Sequence, residues 1–231
     1  MKRWSLLGWL VVLVTACATP ALGQARTLEE LKADIAAFAG AARATLLSGS
    51  SPVRVEERLI AGFQQDPVRR TNVAGGGVVY WGWQEGQAFV QSVAVYDAHD
   101  NLKLLAAVDD LPRVYDSRSN RGVTSLDEYQ ALLDRQARWG SHPSVALFVQ
   151  APADLHAHLP LLKRWSQAAL MGYSVDCADE RAAASCAFVE QVSLPTRAFD
   201  VRCLQRDDAQ RCHMEVPDVP ALDVPLCRFV Q

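Results

Sequence analysis

The chain has no apolar run long enough to cross a bilayer, no excess of positive charge and no low-complexity tract. Its N-terminal apolar stretch, Leu6 to Val14, is nine residues long, whereas a membrane-spanning helix needs about 20. Lysine and arginine number 23 against 26 aspartates and glutamates. That balance argues against a nucleic-acid partner, which requires a basic stripe. G-x-S-x-G, H-E-x-x-H and papain-like cysteine contexts are all missing; a scattered triad remains open. The glycine run of AGGGVVYWGW has neither G-x-G-x-x-G spacing nor the Lys-Ser/Thr of a phosphate loop, and it leads into a strand rather than a helix. It reads as a flexible entry to that strand. The adjacent acid pairs Glu56-Glu57 and Asp109-Asp110 would point to opposite faces of an extended chain and make poor cooperating dyads.

What is present begins with a leader. Lys2 and Arg3 precede the short apolar core, the pattern of a secretory signal. Ala21-Leu22-Gly23 fits a small-x-small cleavage site, which makes residues 1–23 the signal and 24–231 the domain. Val14-Thr15-Ala16-Cys17 also resembles a bacterial lipobox. That resemblance implies cleavage before Cys17, a lipid on its sulfur, and a tether over Ala18 to Ala25. The two routes predict a periplasmic or secreted protein, or one anchored in the outer membrane through Cys17. Removing Lys2 and Arg3 with no acid takes the formal charge from −3 to −5. Half of all residues are hydrophobic and 21% are charged, the composition of a folded globular domain.

The periodicity predicts an α+β fold. Thr27 and Glu30 have capping-box spacing, and Leu28, Leu31, Ile35 and Phe38 recur at helical intervals behind them. A short helix begins near Ser51-Pro52. VVYWGW, AFVQSVAVYD and LKLLAAV are strand-like and separated by QEGQ and AHDN, which are turn chemistry. They form an antiparallel meander over about residues 77–108. Ser125 and Glu128 open another helix, with Gly140 at its cap position. SVALFVQ is a strand. ADLHAHLPLLKRWSQAALMG is helical, with a break or a first turn expected at Pro160. YSVDC returns as a strand, giving one βαβ-like unit, for which a right-handed crossover is expected. CAFVEQVSL, FDVRCL and RCHMEV read as further strands, and the proline-rich tail from Val216 as extended. The expectation is three or four helices and C-terminal disulfide-stapled hairpins, in a single domain or in two lobes meeting near 140–144.

Five cysteines lie beyond the leader. Cys177 and Cys186 form one C-x8-C unit, and Cys203 and Cys212 a second. In an exported chain these meet an oxidising compartment. Local pairing within each unit is the expected connectivity. Each closed loop of about ten residues is then worth roughly 2–3 kcal/mol in the chain-entropy model. Cys227 is left over; it reads as a buried apolar thiol, with an intermolecular disulfide or a reactive thiol as the sharper alternative. Cys203, Cys212, His213 and Cys227 offer metal-binding atoms, but not at the short spacing of a structural zinc site. No metal or cofactor is expected.

Few residues point to a site. In VVYWGW, Trp81 and Trp83 share one strand face. Core packing is the first reading; an exposed pair would suit a glycan or a protein partner. The loop DSRSNRGVTSLD resembles a calcium loop only in outline: Arg118 sits where an oxygen ligand is needed, and Gly122 comes one position late. It reads instead as a surface or ligand-contacting loop in which Arg118 and Arg121 balance Asp116. His156 and His158, two apart on a helix, diverge. The leading expectation is therefore an envelope protein that binds another macromolecule without catalysis, with a protein as the expected partner in the manner of an inhibitor or immunity-type protein, through Trp81, Trp83, Asp116, Arg118 and Arg121. The membrane enters only through Cys17. The alternatives are a hydrolase with a scattered site (His142 near Ser141, or His99 near Asp97 and Asp100) and a small-molecule-binding module.

Overall fold

A computed structural model describes residues 25–46, 51–73, 75–116, 118–119, 121–137, 143–173, 175–218 and 225–229. The leader, Cys17, Ser141, His142 and the 138–142 stretch at the suggested lobe boundary therefore lie outside the described residues.

The chain first builds helix α1 (Leu28–Ala39). Its capping box forms as the spacing predicts: Thr27 Oγ1 accepts from Glu30 N at 3.2 Å, and a Glu30 carboxylate oxygen accepts from Thr27 N at 2.8 Å. Two-residue strands β1 (Arg43–Ala44) and β2 (Val53–Arg54) pair with each other and lead into α2 (Val55–Ala61). Next come β3 (Arg69–Asn72) and the meander: β4 (Val78–Gln84), β5 (Gln87–Tyr96) and β6 (Leu102–Asp109). A small hairpin, β7 (Tyr115–Asp116) with β8 (Arg121–Gly122), precedes α3 (Leu126–Ala137). The remainder is β9 (Ser144–Val149), α4 (Pro152–Met171), α5 (Glu180–Val189), β10 (Thr196–Asp200), α6 (Val201–Leu204), β11 (His213–Met214) and a 3₁₀ turn at Leu226–Arg228.

Seven strands form one sheet in the order β11-β10-β9-β6-β5-β4-β3. Only β9 and β10 run parallel; every other pair is antiparallel. The fold is α+β, with the meander and one crossover unit that the sequence predicts. Alternation along the strands divides the core in two. Trp81, Val93, Val95, Leu104, Ala106, Val108, Leu147 and Val149 face α4 and α5. Tyr80, Ala94, Tyr96, Leu105, Ala107, Phe148 and Phe199 face α1, α2 and α6.

Several local expectations are corrected. The crossover strand is β10; Tyr173 and residues 175–177 are not strand, and α5 lies between. Residues 186–189, read as the start of a strand, form the end of α5. Asp179 caps that helix by accepting from Arg181 N, and Ala182, Cys186 and Val189 are buried at helical spacing. α4 is continuous through Pro160. Proline there forfeits one bond to the carbonyl of exposed His156, while Leu155, Leu159, Leu162 and Trp165 stay buried on both sides of it. The helix ends where expected, at Gly172 in a left-handed conformation. β3 is wholly polar, and only its pairing to β4 reveals it as a strand.

Both disulfides pair locally, Cys177–Cys186 and Cys203–Cys212. The second does staple a hairpin-like excursion, because β10 and β11 are antiparallel and α6 lies between them. The first joins the approach to α5 to the helix itself, so it clamps a loop and helix rather than a hairpin. Disulfides of this kind point to an oxidising compartment. Cys227 is a free thiol and is exposed, not buried as expected. Among the described residues no helix is long and apolar enough to cross a membrane.

Candidate functional site

The site is built where β6 leaves the sheet. After Asp109 the chain turns through Leu111-Pro112-Arg113, and Val114 N donates to Leu170 O at 3.0 Å near the end of α4. This contact fixes the start of the β7–β8 hairpin against the helix layer. The hairpin is braced from within by Asp116. Its carboxylate accepts from Arg118 N at 3.0 Å and from Ser119 Oγ at 2.8 Å. The Ser119 hydroxyl first, and then the Arg118 N–H, hold Asp116 below the usual carboxylate range. Its oxygens are thus engaged in shaping the loop, and the nearby Arg113 charge lowers its pKa further.

The base of the hairpin rests on α5. A Cβ on Gly122 would overlap Ser185 Oγ and stand 2.9 Å from the Tyr115 ring. Only glycine permits so close an approach. Ser185 precedes Cys186 in α5, and Phe188 of the same helix meets Tyr129 of α3 edge-on at 5.9 Å. One stapled helix therefore underlies both the hairpin and α3.

Between the hairpin and α3 lies a groove of about 440 Å³. Four arginines line it: Arg113, Arg118, Arg121 and, from α3, Arg135. Val114, Val123 and Leu132 lie among them. Several arginines elsewhere have carboxylate partners, among them Arg58 with Asp109, Arg164 with Glu190 and Arg181 with Asp179, whereas Arg43 and Arg197 bond backbone carbonyls instead. The four in the groove form no ion pair among the described residues, and all four are exposed. Among the described residues lining the groove, Asp116 is the one acid. The groove therefore carries concentrated positive charge on a chain whose net charge is negative.

A second cavity of about 440 Å³ adjoins the groove and shares Arg113 with it. Its walls include Trp83, Leu111, Pro112, Ala169 and Gly172, with buried Gln91 also lining it. Trp83 is fixed through both its backbone and its ring. Gln65 imitates a strand neighbour, accepting from Trp83 N at 2.9 Å and donating to Trp83 O at 2.8 Å. Tyr173 stacks on the indole with centroids 5.3 Å apart, and the Arg69 guanidinium lies 4.9 Å from the Trp83 ring centroid.

Of the residues singled out from the sequence, Asp116, Arg118 and Arg121 meet in the groove, and Trp83 lines the adjoining cavity. Trp81 does not join them; it is 5% exposed and packs on Tyr173 and Phe229. Sequence reasoning missed Arg113 and Arg135. Arg113 was visible as the third arginine within the nine residues 113–121. Arg135 sits three residues after Leu132, on the same helix face, but nothing in the sequence says which face of α3 meets the hairpin.

Elsewhere, His99 lies in an exposed turn where Asp97 accepts from its backbone N–H at 2.9 Å. Cys203 and Cys212 are consumed by their disulfide and are unavailable as metal ligands. Among the described residues, no group of three or more histidines, cysteines or acids is placed to hold a metal ion. Comparison with protein-family models, with curated proteins and with solved structures gives no match.

Proposed function

We propose that this is a non-catalytic binding protein of the cell envelope, exported by its leader, that takes an acidic segment of a protein partner into the arginine-lined groove. The observation that carries the reading is the set of four exposed arginines, without ion pairs among the described residues, around a loop whose one acid is bonded to the loop itself. Guanidinium forks suit carboxylates in two-point contact. An inhibitor or immunity-type role fits such a surface, because complementary charge raises association rates and rejects wrong partners.

The expected strength follows from exposure. Solvent-exposed ion pairs contribute about 0.2–1 kcal/mol each, so four give roughly 1–4 kcal/mol. A millimolar complex already needs about 4 kcal/mol. The arginines thus select and steer, and other contacts must hold.

Co-purification from envelope extracts, with the wild-type chain and an Arg118→Glu/Arg121→Glu variant as baits, tests the reading. A protein retained by the wild type, lost on the variant and eluted by moderate salt is the expected result. Retention of a partner that ignores both the charge reversal and salt overturns it.

A further inference from the structure

The arginine groove and the Trp83 cavity share Arg113. We infer that they form one composite site, which recognises an acidic peptide carrying an apolar side chain next to its carboxylates. This rests on the proposed partner-binding role and names what the partner must present.

The chemistry of the two halves differs. The groove offers guanidinium donors on an open surface. The cavity offers the aliphatic walls of Leu111, Pro112 and Ala169 and the indole of Trp83. Arg113 is the hinge between them, placed to hold a carboxylate while the neighbouring side chain enters the cavity. The floor is preformed: Val114 is tied to α4, and the Gly122–Ser185 approach seats the hairpin on α5. Pre-organisation of this kind lowers the entropic cost of binding.

Trp83 decides between classes of anion. Bases and sugars are held on open aromatic faces. Tyr173 stacks on one face of Trp83 and the Arg69 guanidinium lies 4.9 Å from the ring centroid, so a base or sugar would have to compete with both for the indole. A polyanionic glycan or nucleic acid would gain charge contacts in the groove and little in the cavity. A short aliphatic side chain fits the cavity and brings its own flanking acids. Four exposed arginines select weakly, and burying one leucine-sized side chain adds about tenfold or more in affinity.

Calorimetric titration of the full chain with two synthetic peptides tests this. One is Glu-Asp-Glu-Leu-Glu-Asp-Glu; in the other serine replaces leucine. The leucine peptide should bind at least about tenfold more tightly. It should change tryptophan emission in the wild type and not in Trp83→Phe. Arg118→Glu/Arg121→Glu should weaken both peptides alike and keep the leucine preference. Equal affinity of the two peptides, with arginine dependence intact, overturns the composite site and leaves the acidic-partner reading standing. If neither peptide binds at millimolar concentration, or if a sulfated oligosaccharide, an oligonucleotide or vesicles of phosphatidylglycerol compete better than the leucine peptide, both readings fall.

Discussion

Arg58 and Asp109 give the sharpest test of how this fold is held. Arg58 projects from α2 to the end of β6, immediately before the chain turns toward the site. Its Nε donates to Asp109 Oδ1 at 2.6 Å, and its Nη2 donates to Val108 O at 2.7 Å. The two side chains are 12% and 7% exposed, so solvent screens the pair little. Replacing Asp109 with alanine leaves a buried guanidinium with backbone carbonyls, chiefly Val108 O, as its acceptors. Breaking a buried pair in this way costs about 3–5 kcal/mol. Against a typical total of 5–15 kcal/mol, that is a large share, and for a domain of this size it lowers Tm by on the order of 10 °C. Arg58→Ala strands the carboxylate instead and should cost a similar amount. The apolar double variant Arg58→Met/Asp109→Leu removes both charges and should be more stable than either single variant. Urea denaturation followed by circular dichroism, with the disulfides intact, measures these variants together with Arg58→Ala/Asp109→Ala, the fourth corner of the alanine cycle. Additive effects of the two substitutions, or a loss below about 1 kcal/mol for Asp109→Ala, would refute the claim that the pair is desolvated and coupled.

Three further outcomes are expected. Gly122→Ala must push the hairpin off α5; overpacking of this kind costs about 1–3 kcal/mol, and peptide affinity at the groove should fall with it, as calorimetry would show. Cys177→Ser/Cys186→Ser and Cys203→Ser/Cys212→Ser should each lose roughly 2–3 kcal/mol in urea melts. Only the first should weaken groove binding, because α5 underlies the hairpin whereas Cys212 packs in the core on the opposite sheet face. Acid should destabilise the protein in two stages. Burial lowers the pKa of His158 below 6.5, so the unfolded chain protonates first and stability declines as pH falls from 6.5 toward the folded value. His158→Gln should flatten that stage. Glu30, Asp97 and Glu128 are held below their ordinary values of 4.5, 3.8 and 4.5; their contribution is complete above those values and is lost as pH falls through the lower folded ones. Urea midpoints at pH 7.5, 5.5 and 3.5 check both stages.

The sequence made the meander legible because QEGQ and AHDN punctuate residues of high strand preference. It made α1 legible through Thr27 and Glu30, and the end of α4 through Gly172. It misled where composition and context disagree. Phe188 and Val189 favour strands, yet Asp179 supplies a cap and the alanines between them propagate a helix. Pro160 argued for a break that burial on either side of it overrides. Half of the site was legible for a related reason. Asp116, Arg118 and Arg121 lie within six residues, so local geometry nearly fixes their meeting. Arg135 and Trp83 reach the same region only through tertiary packing, α3 beside the hairpin and β4 beneath Tyr173.

Arg26 is clasped by Asp34 and Asp100 and lies over the Tyr96 ring. Asp100 belongs to the turn that begins β6, whereas Arg113 follows the end of β6. Eight strand residues at about 3.3 Å each separate them by roughly 25 Å. Tyr96 also belongs to the face opposite the one that α4 and α5 cover. Arg26 therefore sits at the corner of the molecule diagonally across from the arginine groove. A label or surface linkage placed at the Arg26 corner would therefore leave the groove clear for a partner, whereas one placed near α3 would crowd it.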